Sequence, residues 1–199
     1  EWRICSVGPP SSGGLAVLQI LGLLQRTQFA RAAPHSAAAV HIFSEAGRPA
    51  YADRPFYVGD PAHVDVPVAK LLDPGYLDGR ARLIGERSMR QAWPGGSEGV
   101  GTSHFSIVDA EGNVVSMTTT IEATFGRRIM VRGFLLNNQL TDFHFAPGSA
   151  NQVGAGTRPR SSMAPTVVFG ADGEVRMAPG SPGGPNIINY VAKALVGML

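Results

Sequence analysis

Gly101-Thr102-Ser103-His104-Phe105-Ser106-Ile107-Val108-Asp109-Ala110-Glu111-Gly112-Asn113-Val114-Val115-Ser116-Met117-Thr118-Thr119-Thr120 is the stretch on which the fold turns. His104 to Val108 and Val114 to Ile121 are β-rich runs, and Asp109 to Asn113 between them is a turn-forming loop, so a β-hairpin is predicted. If Val108 pairs with Val114, Thr102 falls opposite Thr120 and His104 opposite Thr118. Facing residues of an antiparallel pair share one face and lie within reach. Threonine favours strands in any case, so two facing threonines carry no chemistry by themselves.

What precedes Thr102 adds the chemistry. Gln91-Ala92-Trp93-Pro94-Gly95-Gly96-Ser97-Glu98-Gly99-Val100-Gly101 has no periodicity and many glycines, which predicts a flexible, exposed segment. A cut between Gly101 and Thr102 would give Thr102 an α-amine with an ordinary pKa near ~8. Such an amine can act as the base for the same residue's hydroxyl, with no separate His-Asp pair. Thr120 would then orient the hydroxyl.

Further along, Gly180-Ser181-Pro182-Gly183-Gly184-Pro185 runs into an apolar helical pattern from Asn186 to Leu199. Pro185 suits the first helical turn. The N–H groups of Gly183 and Gly184, unhindered by side chains at a helix N-terminus, suit an oxyanion, although Gly-Pro turns before helices are common. Ser161 and Ser162, in Arg158-Pro159-Arg160-Ser161-Ser162-Met163, offer adjacent hydroxyls for a carboxylate or for turn hydrogen bonds. Asp142 is a carboxylate among apolar residues, suited to an ammonium group or to the surface.

Upstream of the hairpin, residues 2–8 predict a strand and Leu15 to Gln25 a helix, with Ser11 or Ser12 as its cap. Residues 34–57 predict helix, kinked or split by Pro49 and Pro55. Residues 74–87 predict another. From Thr102 to Gly180 the chain reads mainly as strands and turns. Helices, then strands, then a helix indicate an α+β fold of layered sheets with helices outside.

Composition excludes several classes. The 199 residues are 44% hydrophobic and 16% charged, ordinary for a globular domain. The net charge of +2 comes without any basic cluster, which argues against nucleic acid. Five scattered histidines show no metal-ligand spacing, and no cofactor motif is present. The lone Cys5 permits no internal disulfide and reads as a small core residue. No apolar run is long enough to span a membrane. The chain begins without Met and ends in a helical pattern, which reads as a piece of a longer protein.

Taken in order, Gly8-Pro9-Pro10-Ser11-Ser12-Gly13-Gly14, Ala50-Tyr51-Ala52-Asp53-Arg54, Gly59-Asp60-Pro61, Thr102-Ser103-His104-Phe105-Ser106, Leu135-Leu136-Asn137-Asn138-Gln139, Arg158 to Thr166 and Gly180 to Gly184 resemble gamma-glutamyltranspeptidases. The ordered set spans nearly the whole chain. The resemblance implies an N-terminal-nucleophile hydrolase, a four-layer αββα sandwich of which this chain would hold part. It implies a precursor that cuts itself before Thr102. Residues 1–101 would be the mainly helical end of the large subunit. Residues 102–199 would begin the small one, mainly strands with a final helix.

The resemblance also assigns roles. Thr102 would attack the γ-glutamyl amide of glutathione or a related compound, and water, an amino acid or a peptide would take the acyl group. Thr120 would support the nucleophile, and Gly183 and Gly184 would form the oxyanion hole. Ser161 and Ser162 would hold the α-carboxylate. Asp142, Gln139 and Glu122 would grip the α-amino group, with Glu122 standing where an enterobacterial-type enzyme has Asn. The stretch between Asp142 and Ser161 is short for the lid loop of some bacterial members, which implies a more open acceptor side. Family habit implies a periplasmic or secreted enzyme. Two other readings are a related amidase such as a cephalosporin acylase, and a non-catalytic homologue that never cleaves itself.

Overall fold

A computed structural model describes residues 2–89 and 101–198. Strand β1 (Arg3–Ser6) leads through the Gly8–Gly14 turn into helix α1 (Gly13–Leu24). Helices α2 (Ala37–Tyr57), α3 (Val68–Leu71) and α4 (Pro74–Ala81) follow. The hairpin is β2 (Thr102–Val108) and β3 (Val114–Thr120), then come the short β4 (Met130–Val131) and β5 (Phe134–Leu135). Strands β6 (Thr166–Phe169) and β7 (Val175–Met177) precede helix α5 (Ile187–Met198).

The core lies between helices and sheet. Helix α1 buries Ala16, Val17, Ile20, Leu23 and Leu24 against Ala46 and Ala50 of α2, Val168 of β6 and the apolar face of α5. Ala46 and Ala50 lie one turn apart, so α2 presents a smooth strip to its neighbours. Each fully buried Leu or Ile contributes about 1.5–3 kcal/mol over its exposed state. The polar side of this layer is also bonded. Buried Gln19 donates to Asp53 at 3.0 Å, and Asp53 accepts from Tyr76 (2.8 Å) and Arg80 (2.7 Å), linking α1, α2 and α4.

Residues from both ends of the chain share one sheet. Its order is β1-β6-β7, with Arg3 paired to Phe169 and Ser6 to Thr166, all antiparallel. The β2–β3 hairpin meets this sheet through Ser116, whose hydroxyl accepts from the Thr166 N–H at 3.2 Å and donates to the Pro179 carbonyl at 3.3 Å. The mixed helix-and-sheet architecture agrees with the α+β expectation.

Several local expectations need correction. Pro49 and Pro55 do not split α2, which runs unbroken over 21 residues. Packing of its alanine strip outweighs two lost backbone bonds. The helix expected over residues 74–87 is α4, which ends at Ala81, short of Arg87. Of the two expected caps, Ser12 makes none, its hydroxyl turning to the Ser161 carbonyl, whereas the Ser11 hydroxyl accepts the Gly13 N–H at 3.2 Å. Cys5 is exposed, because Ile4 takes the core side of β1 and strand alternation sends Cys5 the other way. Between Ile121 and Pro165 the chain is mostly turns, with only two-residue strands. The predicted flexible segment 91–101, apart from Gly101, lies outside the described residues.

Candidate active site

The hairpin forms in the expected register, Thr102 opposite Thr120 and His104 opposite Thr118. The Thr102 hydroxyl donates to Thr120 Oγ1 at 3.1 Å. Thr120 Oγ1 also accepts the Glu122 N–H at 2.9 Å and points its own proton at the Gly101 carbonyl, 3.5 Å away. The oxygen of Thr120 is therefore fixed by two donors while its proton faces the bond that precedes Thr102. His104 bonds Thr118 at 2.8 Å and Ser106 at 3.2 Å on the same face. Its ring lies against Gly180, where a Cβ would come within 2.1 Å of the imidazole.

Beyond β3 the chain turns at Glu122, which holds φ 72. A glutamate in this left-handed region carries backbone strain of about 1–3 kcal/mol. The turn puts the Glu122 carboxylate beside Gln139, whose amide donates to Glu122 at 3.2 Å and also to Asp142. Gln139 and Asp142 share one turn of 3-10 helix (Gln139–Asp142). Burial raises the Asp142 carboxyl above its ordinary range, against the lowering effects of Gln139, Arg160 and Arg54. Two carboxylates and an amide oxygen in one place suit a ligand with three N–H donors, which a primary ammonium has. Buried Asn151 supports the group from behind: its amide donates to the Asp142 carbonyl and accepts from the Arg160 N–H, both at 2.7 Å.

Ser161 and Ser162 are set by the Gly8–Gly14 turn. The N–H and the hydroxyl of Ser12 both donate to the Ser161 carbonyl at 2.8 Å, and the Ser161 N–H donates to the Pro10 carbonyl at 3.2 Å. Gly13 permits this approach, since a Cβ there would fall 2.3 Å from the Met163 oxygen. Arg54 of α2 donates to the hydroxyls of both Ser12 (2.8 Å) and Ser162.

Gly183 and Gly184 have φ 133 and φ 55 and lead through Pro185 into α5. A Cβ on Gly183 would meet the Tyr190 ring at 2.7 Å. Tyr51 of α2 donates to the Pro185 carbonyl at 2.6 Å and so holds this loop.

Eight of the nine predicted residues line one cleft: Thr102, Thr120, Glu122, Gln139, Asp142, Ser161, Ser162 and Gly184, with Met163 and Ile187 closing it. Gly183, next to Gly184 in the chain, is not part of the lining. The cleft holds about 20 Å³, room for about one water. A larger hollow of about 190 Å³ is lined by residues including Asp60, Phe143 and Asn151, but it contains none of the nine. The smaller cleft is where the predicted residues converge. Sequence reasoning did not select Tyr51, Arg54 or Asn151 individually, and only the motif around Tyr51 and Arg54 pointed toward two of them. Among the described residues no cluster of His, Cys, Asp or Glu has the makings of a metal site.

The family model described as Gamma-glutamyltranspeptidase matches residues 1–199. The chain belongs to the gamma-glutamyltranspeptidase family. It is 39% identical to the glutathione hydrolase proenzyme of Bacillus subtilis strain 168 over 217 aligned residues, covering 98% of this chain and 37% of that protein. It is 36% identical to the Acylase ACY 1 proenzyme of Pseudomonas sp. strain SE83, covering 100% of this chain and 36% of that one. In fold it is similar to the cephalosporin acylase of Bacillus halodurans, with a TM-score of 0.79, 22% identity, and coverage of 99% and 35%. The chain thus spans little more than a third of the length of these relatives.

In this member of the gamma-glutamyltranspeptidase family, first-half motifs converge on second-half residues. Tyr51 holds the loop before α5, and Arg54 reaches Ser162, while Asp53 of the same motif locks the helical layer of the first half. Asp60, in Gly59-Asp60-Pro61, grips Arg158 at 2.6 Å, three residues before Ser161.

Proposed function

We propose that this chain carries the nucleophile of a self-processing γ-glutamyl hydrolase or transferase. The observation that carries the reading is the Thr102–Thr120 hydroxyl pair at 3.1 Å, at the head of a strand and in one cleft with an ammonium-suited cage. Processing would begin with attack of Thr102 Oγ1 on the Gly101 carbonyl carbon. The C–N bond breaks, the hydroxyl proton passes to the new amine, and an ester joins Gly101 to Thr102. Water then divides the ester into a Gly101 carboxylate and a Thr102 hydroxyl. The Thr120 hydroxyl, 3.5 Å from the Gly101 oxygen, would donate to it as it gains charge.

With the Gly101–Thr102 bond intact, the Thr102 nitrogen is an amide and no base. Gly101 also lies against the backbone of Glu122 and Ala123, where a Cβ would sit 2.2 Å from the Glu122 oxygen. Cleavage would release Gly101 from this contact, and a glutamyl group would then enter the cleft. The new amine would take the Thr102 proton as the oxygen attacks a γ-amide carbonyl, and pass it to the leaving amine. Glu122, Gln139 and Asp142 would hold the substrate's α-ammonium, and Ser161 and Ser162 its α-carboxylate. Gly183 and Gly184 would offer N–H groups to the oxyanion. Water, an amino acid or a peptide would then take the acyl group from Thr102. Glutathione is the γ-glutamyl donor this reading favours, and residues 1–101 and 102–199 would be parts of two subunits. A periplasmic or secreted setting is the one we expect; among the described residues no helix is long and apolar enough to cross a membrane.

Full-length protein incubated with a γ-glutamyl anilide should release the aniline, and the Thr102→Ala variant should not. Equal release by both would end the reading.

A second reading is favoured by the Acylase ACY 1 relative: Thr102 chemistry on an amide without the amino-acid head group. Asp142→Asn separates the two. It should cost far more activity on γ-glutamyl than on glutaryl amides, whereas equal losses would favour the acylase.

A further inference from the structure

Arg54 stands on α2, 108 residues from Ser162, yet its guanidinium bonds Ser162, which lines the cleft. Nε donates to Ser12 Oγ at 2.8 Å, and Nη2 donates to Ser162 Oγ. Ser12 is fully buried, and its hydroxyl passes on to the Ser161 carbonyl at 2.8 Å. One planar cation therefore fixes the Ser161–Ser162 step at both ends. The Arg54 guanidinium also lies over the Tyr51 ring at 5.2 Å, and Tyr51 itself is tied to Pro185.

A serine hydroxyl has one proton and two lone pairs. Once Ser162 Oγ accepts from a cation, its own proton is polarised and turned away from the arginine. Ser162 lines the cleft, so the group that this proton meets is whatever lies there. A carboxylate is the partner such a charge-assisted hydroxyl recognises most strongly. Lysine cannot do the same work, because a point charge cannot hold two hydroxyls in a fixed fork.

We infer that Arg54 is a specificity-determining positioning residue for the substrate's α-carboxylate, acting through the hydroxyl of Ser162. This rests on the γ-glutamyl reading above. The cation is supplied by residues upstream of Thr102 and the hydroxyl by residues downstream, so carboxylate recognition is completed across the proposed cut.

The test is steady-state kinetics of the full-length processed enzyme on two anilides, γ-glutamyl and 4-aminobutyryl. The second keeps the amine and lacks the α-carboxylate. In Arg54→Lys and Arg54→Met the ratio of kcat/KM for the first over the second should fall at least tenfold, through KM for the γ-glutamyl substrate. In a Ser162→Ala background the same replacements should change that ratio less than twofold. Equal losses on both substrates, or an unchanged ratio, would overturn the inference in favour of a purely structural arginine. Failure of both Arg54 variants to yield folded, cleaved protein would do the same. A parent enzyme that treats the two anilides alike would instead overturn the γ-glutamyl reading, and this inference with it.

Discussion

The hydroxyl of Tyr51 donates to the carbonyl of Pro185 at 2.6 Å, across 134 residues of chain. Helix α2 thereby holds the loop whose glycines face the reacting carbonyl in the proposed mechanism. An oxyanion forms only in the transition state, so loosening this loop should act on kcat more than on KM. Tyr51→Phe removes one hydrogen bond worth about 1 kcal/mol, or roughly fivefold in rate. We expect kcat to fall by about that factor, with KM changed less than twofold.

Asp142 gives a pH signature. Burial raises its carboxyl, so it loses its charge at a higher pH than an ordinary aspartate. An ammonium group needs the charged form. The acid limb of kcat/KM for a γ-glutamyl anilide should therefore fall above the usual carboxylate range, and Asp142→Asn should abolish that limb. The same variant should lower kcat/KM by at least about thirtyfold, the loss expected for a desolvated charge pair worth about 2 kcal/mol. The stability sign is opposite. A carboxyl raised in the folded state supports folding at low pH and loses that support as pH rises through its folded value. Asp142→Asn should accordingly raise the melting temperature at neutral pH, measured by calorimetry.

How much of this was legible in the residues depends on sequence separation. The hairpin register followed from a five-residue loop between two β-rich runs, and Pro185 marked the start of the last helix. These are local signals. The unbroken α2 was not legible, because Pro49 and Pro55 argue against a helix locally and the packing that overrides them comes from α1 and α5. Cys5 followed from neither its neighbours nor its chemistry, because only the pairing of β1 with β6 decides which face is buried. Arg54, Tyr51 and Asn151 act through contacts whose partners no local pattern names. Most of the cleft was anticipated because the order of the motifs carried information that no single motif did.

Asp60 tests the frame around the Ser161–Ser162 loop. Bonds from the Arg158 side chain and N–H hold its carboxyl far below the usual range, despite the opposing effect of burial. A depressed carboxyl contributes stability that is present above its unfolded pKa and is lost as pH falls toward the folded value. Asp60→Asn should lower the melting temperature at neutral pH, with the gap narrowing below the ordinary carboxylate range. A gap independent of pH would show that the charge of Asp60 is not what matters.

Asn151 links Asp142 to Arg160 through one buried amide. Asn151→Ala removes two hydrogen bonds, to the half-buried Asp142 carbonyl and Arg160 N–H, each worth about 1 kcal/mol. The melting temperature should drop by several degrees. KM for the γ-glutamyl anilide should rise severalfold, because Asp142 and the serine loop lose their shared anchor.

The most direct measurement is the intact mass of the full-length protein after expression, with N-terminal sequencing of each piece. The account predicts two pieces, the later one beginning Thr-Ser-His-Phe, and a single uncut chain for Thr102→Ala. A parent protein that stays whole, or a Thr102→Ala chain cut at the same bond, would contradict it.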